Sequence, residues 1–291
     1  MKYIKINCNL CGSDTAKLYS VYNGEGNYLH KYRVKCKKCG LVYSNPQATK
    51  ETLQQYYSTI YPGSVPSYTN STKEIINNYE KYFSELNTRI KPGNFLDVGC
   101  AGGNLLSVGE RLGWKTYGVE ISKLFYECAK SNLKSSFIFN GELHEAKFED
   151  NFFDYVYMSQ VLEHVTDPTL LLNEINRILK TEGELFIDVP NIAEPFNYNN
   201  WVISYLKKRP LPMITGNEHT YDFSPRTLTM LLQKCRFRIR TIKINYLKGT
   251  FATDKRKLNC FGRLELSCIK NINRLFPNKC GNRIRVTATK Y

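Results

Sequence analysis

Apolar residues fall in short blocks along most of this chain, and the spacing inside the blocks switches between the helical and the strand period. Residues 72–90 place Ile75, Ile76, Tyr79, Tyr82, Phe83 and Leu86 on one helical face, and Lys91-Pro92-Gly93 ends that helix. Beyond it, FLDV, TYGVE and FIF read as strands separated by helices over 104–112 and about 122–132. FDYVYM at 153–158 is followed by Asp167 as a helix N-cap and Pro168 in the first turn. Leu171, Ile175, Ile178 and Leu179 form the expected buried stripe of that helix, and Gly183 is expected just past its end as a left-handed C-cap. ELFIDVP then reads as a strand. Ser224 and Pro225 open a helix with Leu228, Leu231, Leu232 and Cys235 on one face. FRIRTIKI and RIRVTATK are strands flanking a helix at about 258–275. Seven strands alternating with helices predict an α/β fold with one doubly wound sheet.

The first 45 residues follow a different grammar. Cys8 and Cys11 form one CxxC, Cys36 and Cys39 a second, and 24 residues lie between the pairs. Each pair runs into glycine, which lets the backbone turn tightly enough for both sulfurs to reach one ion. Four thiolates suit tetrahedral zinc in a closed, structural site, whereas a redox dithiol needs only one CxxC beside a helix start. The other cysteines, at 100, 128, 235, 260, 268 and 280, share no such spacing. The chain therefore divides into a zinc ribbon at 1–45, a tyrosine-containing connector with one short helix at 46–71, and the α/β domain at 72–291. Loss of zinc is expected to unfold the ribbon while the larger domain keeps its own melting transition.

The 291 residues are 42% hydrophobic and 23% charged, an ordinary globular composition that excludes disordered and collagen-like classes. No run approaches the roughly 18 to 20 apolar residues of a membrane span. The N-terminal MKYIKINCNLCGSD has no apolar signal core, so a cytoplasmic protein is expected. A net charge of +15 would suit nucleic acid, anionic lipid or a phosphorylated substrate, but it is spread along the chain apart from LKKR at 206–209 and DKRK at 254–257.

Chemistry concentrates where the first strand of the large domain ends. LDVGCAGGN sets Asp97, Gly99, Ala101 and Gly103 in a tight turn that leads into a helix, and Glu120 closes the second strand 17 residues after Gly103. A glycine turn at the carboxyl edge lets the backbone approach a ligand, and a strand-end carboxylate can accept both ribose hydroxyls. A dinucleotide site would carry a different glycine spacing against its pyrophosphate. The leading Asp97 would repel a phosphate but suits an ammonium group, so the ligand is expected to be a nucleoside bearing an amino acid.

FLDVGCAGGNLL, GVEIS, FDYVYMSQVLEHVTDPTLLLNEINRILKTEGELFIDVPN and EHTYDFSPRTLTMLLQKCRF, in that order, resemble class I S-adenosylmethionine-dependent methyltransferases with their Rossmann-like seven-stranded sheet. More narrowly, the chain resembles the bacterial subgroup with an N-terminal zinc ribbon, often associated with sugars, surface glycans and secondary metabolites. The resemblance implies that Asp97 and the backbone of Gly99, Cys100 and Ala101, in the turn closed by Gly103, hold the methionine part of S-adenosylmethionine. It implies Glu120 for the ribose, Ile121, Glu142 and Leu143 for the adenine, and Ser159 and Gln160 closing the pocket. Departures from the family pattern are Ala101 for a common glycine, KTEGE for KPGG, and Glu142 for a frequent aspartate.

Methyl transfer to a hydroxyl benefits from a base. His219 in NEHTYDFS is the favoured candidate, with Glu163 and His164 as others, and His164 is better read as pinning its loop. Small-RNA 2′-O-methyltransferases carry a similar E-x-x-E-H cluster that holds a divalent metal. Gln160 stands here for its first glutamate, and a neutral amide is a poorer ligand for a hard cation. Residues 192–216, with Tyr198, Trp201, Tyr205, Lys207, Lys208 and Arg209, read either as a lid that contacts the acceptor or as an amphipathic helix with solvated lysines. Three functions stand in order: a methyltransferase acting on a small-molecule or glycan/nucleotide-sugar acceptor, most simply at oxygen; an RNA methyltransferase, favoured by the charge but lacking an aromatic-basic platform in the ribbon; and a non-catalytic cofactor-binding scaffold.

Overall fold

A computed structural model of the chain describes residues 1–22, 29–59, 72–193, 211–212 and 218–245 together with 281–291. Most of the expected lid at 192–216, the expected helix at about 258–275 and much of the connector lie outside these residues. In chain order the elements are β1 (Tyr3–Ile4), β2 (Ala16–Val21), β3 (Tyr32–Cys36), β4 (Val42–Ser44), β5 (Gln47–Ala48), α1 (Lys50–Thr59), α2 (Lys73–Asn87), β6 (Asn94–Val98), α3 (Asn104–Arg111), β7 (Lys115–Glu120), α4 (Lys123–Asn132) and β8 (Phe137–Asn140). They continue with a 3₁₀ turn (Leu143–Ala146), β9 (Phe153–Ser159), α5 (Pro168–Ile178), β10 (Leu179–Pro190), β11 (Leu211–Pro212), β12 (Tyr221–Asp222), α6 (Pro225–Lys234), β13 (Phe237–Asn245) and β14 (Arg283–Lys290).

Seven strands form one mixed sheet in the order β13-β14-β10-β9-β6-β7-β8. β10, β9, β6, β7 and β8 are parallel, and β14 returns antiparallel between β10 and β13. The chain winds outward in both directions from the junction of β6 with β9, which opens a crevice beyond the carboxyl ends of β6, β7 and β9. The sheet is covered on both faces. One cluster joins Phe83 and Leu86 of α2 and Leu105, Leu106 and Val108 of α3 to Phe95, Trp114 and Tyr155. The other joins Leu172, Ile175 and Ile178 of α5 and Leu228, Leu231 and Leu232 of α6 to Val156, Met158, Leu185 and Ile187. Each fully buried side chain of this kind contributes about 1.5–3 kcal/mol.

Local signals explain the helix boundaries. The Asp167 side chain accepts from the Leu170 amide at 2.9 Å, and Ser224 accepts from the Thr227 amide at 3.2 Å while Thr227 returns the bond. One expectation fails at the end of α5. Gly183 is not a left-handed C-cap: α5 stops at Ile178, the chain turns at once into β10, and Gly183 lies within that strand. The reason is steric, because a Cβ at Gly183 would lie 2.9 Å from both the Phe153 carbonyl oxygen and a Leu179 methyl. The α5 stripe also shifts, with Leu172 fully buried and Leu171 half-buried.

The small sheet at the N-terminus is not built from N-terminal residues alone. Its order is β11-β2-β3-β4-β12, so Tyr221–Asp222, far along the chain, pairs antiparallel with Val42–Tyr43. Cys8, Leu10, Cys36, Cys39, Leu41 and Tyr43 belong to the same apolar cluster as α5 and α6. Asn9 on the first cysteine loop bonds Asp167 and Thr169, and Lys234 reaches the Asn9 carbonyl at 2.6 Å. The ribbon is therefore packed into the large domain instead of hanging from it. No helix among the described residues is long and apolar enough to cross a membrane.

Candidate active site

The crevice holds a cavity of about 520 Å³. Its floor is the turn after β6. Gly99 and Cys100 donate to the Val119 carbonyl at 2.8 and 3.2 Å, which folds the turn back over β7. Gly99 has φ 78°, and a Cβ there would lie 2.4 Å from a Val161 methyl, so position 99 has room only for glycine. Ala101 is also left-handed, at φ 46°, a conformation that costs an L-residue about 1–2 kcal/mol.

Glu120 offsets that cost. Its buried carboxylate accepts the Ala101 amide at 2.9 Å through one oxygen and the Ser122 amide at 2.8 Å through the other. It thus fixes both turns while each oxygen keeps a lone pair for a further donor. Burial raises its pKa even though the amides pull it down. Asp97 is more strongly affected: burial, and then the charge of Glu120, push it up to about 8. Two buried carboxylates facing one cavity whose lining lysine, Lys50, is paired with Glu142 and Glu145 suit a ligand that brings a positive charge and hydroxyl donors.

Asp97, Gly99, Cys100, Ala101, Glu120, Ile121, Glu142, Leu143, Ser159, Gln160, His164 and His219 all line this cavity. Gly103 does not; it lies behind the turn, where a Cβ would meet Leu133 and Ala129. Glu163 is also absent from the wall, lying just beneath it. Residues the sequence did not assign to the site line the cavity as well: Lys50, Leu53 and Tyr57 of α1, and Tyr79 of α2, which the sequence placed only on the apolar face of its helix. For the α1 residues the connector's tyrosine content was the only signal, and nothing in it indicated which way α1 would pack.

At the far end of the cavity the loop after β9 meets the segment before β12. The Glu163 carbonyl accepts the Thr220 and Tyr221 amides at 2.7 and 3.0 Å, and Thr220 Oγ1 donates to the His164 carbonyl at 3.2 Å. The rings of His164 and His219 stand edge to face with centroids 4.8 Å apart. Burial and the neighbouring His219 push His164 down to about 3, so its ring is neutral. Burial also acts to lower His219, but Asp222 and Glu163 outweigh it and the net shift is upward. Burial drives Glu163 up to about 7, and neither of its carboxylate oxygens has a hydrogen-bond partner among the described residues.

In the ribbon the sulfurs of Cys8, Cys11, Cys36 and Cys39 lie within 4.8 Å of one another, with Cys8 and Cys39 at 3.5 Å and Cys11 and Cys36 at 3.6 Å. Tetrahedral zinc with bonds of 2.3 Å separates its sulfurs by about 3.8 Å. Gly12 and Gly40 are both left-handed and donate to the carbonyls of Cys8 and Cys36, which closes the two loops around the sulfurs. This set could hold zinc with little rearrangement.

Residues 96–187 match the methyltransferase domain family. Ubiquinone biosynthesis O-methyltransferase of Xanthomonas oryzae pv. oryzae is 33% identical over 155 residues, covering 50% of this chain and 63% of that protein. Sterol 24-C-methyltransferase of Schizosaccharomyces pombe is 36% identical over 102 residues, covering 32% of this chain and 27% of that protein. Among solved structures, a SAM-dependent methyltransferase from Archaeoglobus fulgidus superposes with a TM-score of 0.54 at 17% identity, covering 80% of this chain and all of that one. Residues 96–187 are thus similar to a methyltransferase domain, and the fold is one shared with that solved SAM-dependent methyltransferase. It spans 63% of the length of the first of these relatives.

Proposed function

We propose that this protein transfers a methyl group from S-adenosylmethionine to an oxygen of a small polar acceptor, and that its four ribbon cysteines hold a structural zinc ion. One observation carries the reading: Asp97, Glu120, His164 and His219 line one and the same cavity. When bound, S-adenosylmethionine supplies a methyl group already activated on a sulfonium. Asp97 would face its ammonium group, Glu120 its ribose, and Ile121, Glu142 and Leu143 its adenine. What remains for the protein is to align the acceptor, exclude water and remove a proton. His219, lining the cavity with a raised pKa, is suited to take the proton from an acceptor hydroxyl. A volume of about 520 Å³ suits a nucleoside and a small molecule better than a polymer. A sugar or nucleotide-sugar hydroxyl fits that description, as does a phenol.

Mass spectrometry of the purified protein and its native extract tests the reading. Zinc and S-adenosylmethionine or its demethylated product, without RNA, are expected, and screens of nucleotide sugars and phenols should follow. RNA released steeply by salt would move the assignment to an RNA methyltransferase. Absence of the cofactor, with none bound on addition, would leave a scaffold.

Proton linkage gives a second test. With Asp97 held at about 8, its carboxyl is mostly protonated at pH 7, and an arriving ammonium group favours the ionised form. Cofactor binding at pH 7 is expected to release close to one proton, and affinity to climb as pH rises toward 8. Calorimetry in buffers of different ionisation enthalpy measures the proton, and Asp97→Asn should remove the dependence. A buffer-independent enthalpy in the unaltered protein would refute the Asp97 assignment.

A further inference from the structure

His219 is held from the ribbon side. Ser44 at the end of β4 donates its hydroxyl to the His219 carbonyl at 3.2 Å and its amide to the Thr220 carbonyl at 2.8 Å. Arg33 of β3, fully buried, donates to Ser44 Oγ at 2.6 Å and through Nε to Asp222 Oδ2 at 2.9 Å. The other oxygen of Asp222 lies 3.5 Å from His219 Nδ1, a charge-pair approach just longer than a hydrogen bond, and a small rotation of the ring would close it. A buried ion pair is seldom a net source of stability, because desolvating both charges costs about what their attraction returns. Its presence here, joined to a histidine that lines the cavity, calls for another role.

We infer that Asp222, held in place by Arg33 and Ser44 of the ribbon, is the positioning residue for His219, fixing the ring by its Nδ1 edge and leaving Nε2 for the acceptor. The inference rests on the reading of His219 as the base. An imidazole can remove a proton only through an unprotonated nitrogen aimed at the substrate, and an acceptor fixed at Nδ1 selects the tautomer that carries its hydrogen there. The same carboxylate stabilises the imidazolium formed when the proton arrives. Arg33 keeps Asp222 ionised and directed, and Ser44 fixes the backbone from which the ring projects. The cysteine ribbon is thereby a working part of the acceptor half of the site. Arg33 stands three residues before Cys36, and Ser44 five after Cys39.

Other groups facing His219 contribute to its titration. Glu163 raises it, as does Glu218 on its own segment. His164, pushed down to about 3, and His30, pushed down to about 3 by burial and by Arg33, are neutral across the working range. Loss of Asp222 therefore lowers the His219 pKa without abolishing its titration.

The test compares Asp222→Asn, Asp222→Glu and His219→Ala in the zinc-loaded full chain, with the first acceptor that turns over. His219→Ala is expected to lose kcat by about 10²- to 10⁴-fold with cofactor affinity intact. Asp222→Asn is expected to lower kcat by more than tenfold, to move the acid limb of the kcat/KM profile to lower pH, and to cost nothing further when combined with His219→Ala. Asp222→Glu should restore part of both. Normal dependence on His219 with a pH-independent loss in Asp222→Asn would overturn the positioning role alone. Full activity of His219→Ala would remove the base reading and this inference with it. Nitrogen NMR of the His219 ring in the unaltered protein needs no variant to fold. A hydrogen on Nδ1 is expected in the neutral ring, and a hydrogen on Nε2 would overturn the inference.

Discussion

Replacing Glu120 with alanine is expected to weaken S-adenosylmethionine binding by at least about 100-fold, the largest effect of any single substitution in the cofactor half of the site. The carboxylate would accept two ribose hydroxyls, and hydrogen bonds to a charged acceptor are worth about 1.5–3 kcal/mol each. It also holds the Ala101 and Ser122 amides, so its removal leaves one buried and one partly buried donor unpaired and relaxes a left-handed turn. Calorimetry with the demethylated cofactor separates the two contributions. The unaltered protein should discriminate strongly against a 2′-deoxy analogue, whereas Glu120→Ala should bind both forms equally weakly. Equal affinity of the unaltered protein for both forms would show that Glu120 organises the turn without touching the ribose.

Cys36→Ser should lower a single melting transition of the whole described fold. A ribbon that melted by itself would leave the main transition in place, which is what the cysteine spacing alone suggests. The structure gives a different expectation, because β12 belongs to the ribbon sheet and Cys8, Leu10 and Tyr43 share their apolar cluster with α5 and α6. Loosening β3 also frees Arg33 from Asp222, and breaking a buried pair on one side costs about 3–5 kcal/mol. At roughly 2 °C per kcal/mol for a chain of this size, the midpoint should fall by about 6 to 10 °C. Scanning calorimetry decides: two transitions with the upper one unmoved would establish an autonomous ribbon.

Much of this architecture could be read before any coordinates. The seven strands, the capped starts of α5 and α6, the glycine turn and the paired cysteines each rest on interactions between residues close in sequence, which leave a local pattern. What escaped depended on distant partners. β12 is two residues long, too short to carry a period, and its place beside β4 is set by a pairing between positions 43 and 221. Arg33 and Asp222 look like ordinary solvated charges until that pairing brings them together in the interior. Gly183 misled because glycine after a helix is normally a cap, whereas here it makes room for the Phe153 carbonyl against β10. The α1 contribution was missed for the same reason: Tyr57 and Lys50 reach the cavity through the way α1 docks, and no spacing records docking.

Tyr221–Asp222 closing the ribbon sheet has a consequence for how the chain comes off the ribosome. The four cysteines emerge within the first 39 residues, but the strand that completes their sheet follows about 180 residues later. At about 5–20 residues per second, roughly 10 to 40 s pass in which β4 has a bare edge and Arg33 has no counter-ion. Metal capture in that interval would hold the nascent loops together, while the native ribbon sheet is completed only once Tyr221 and Asp222 have been synthesised.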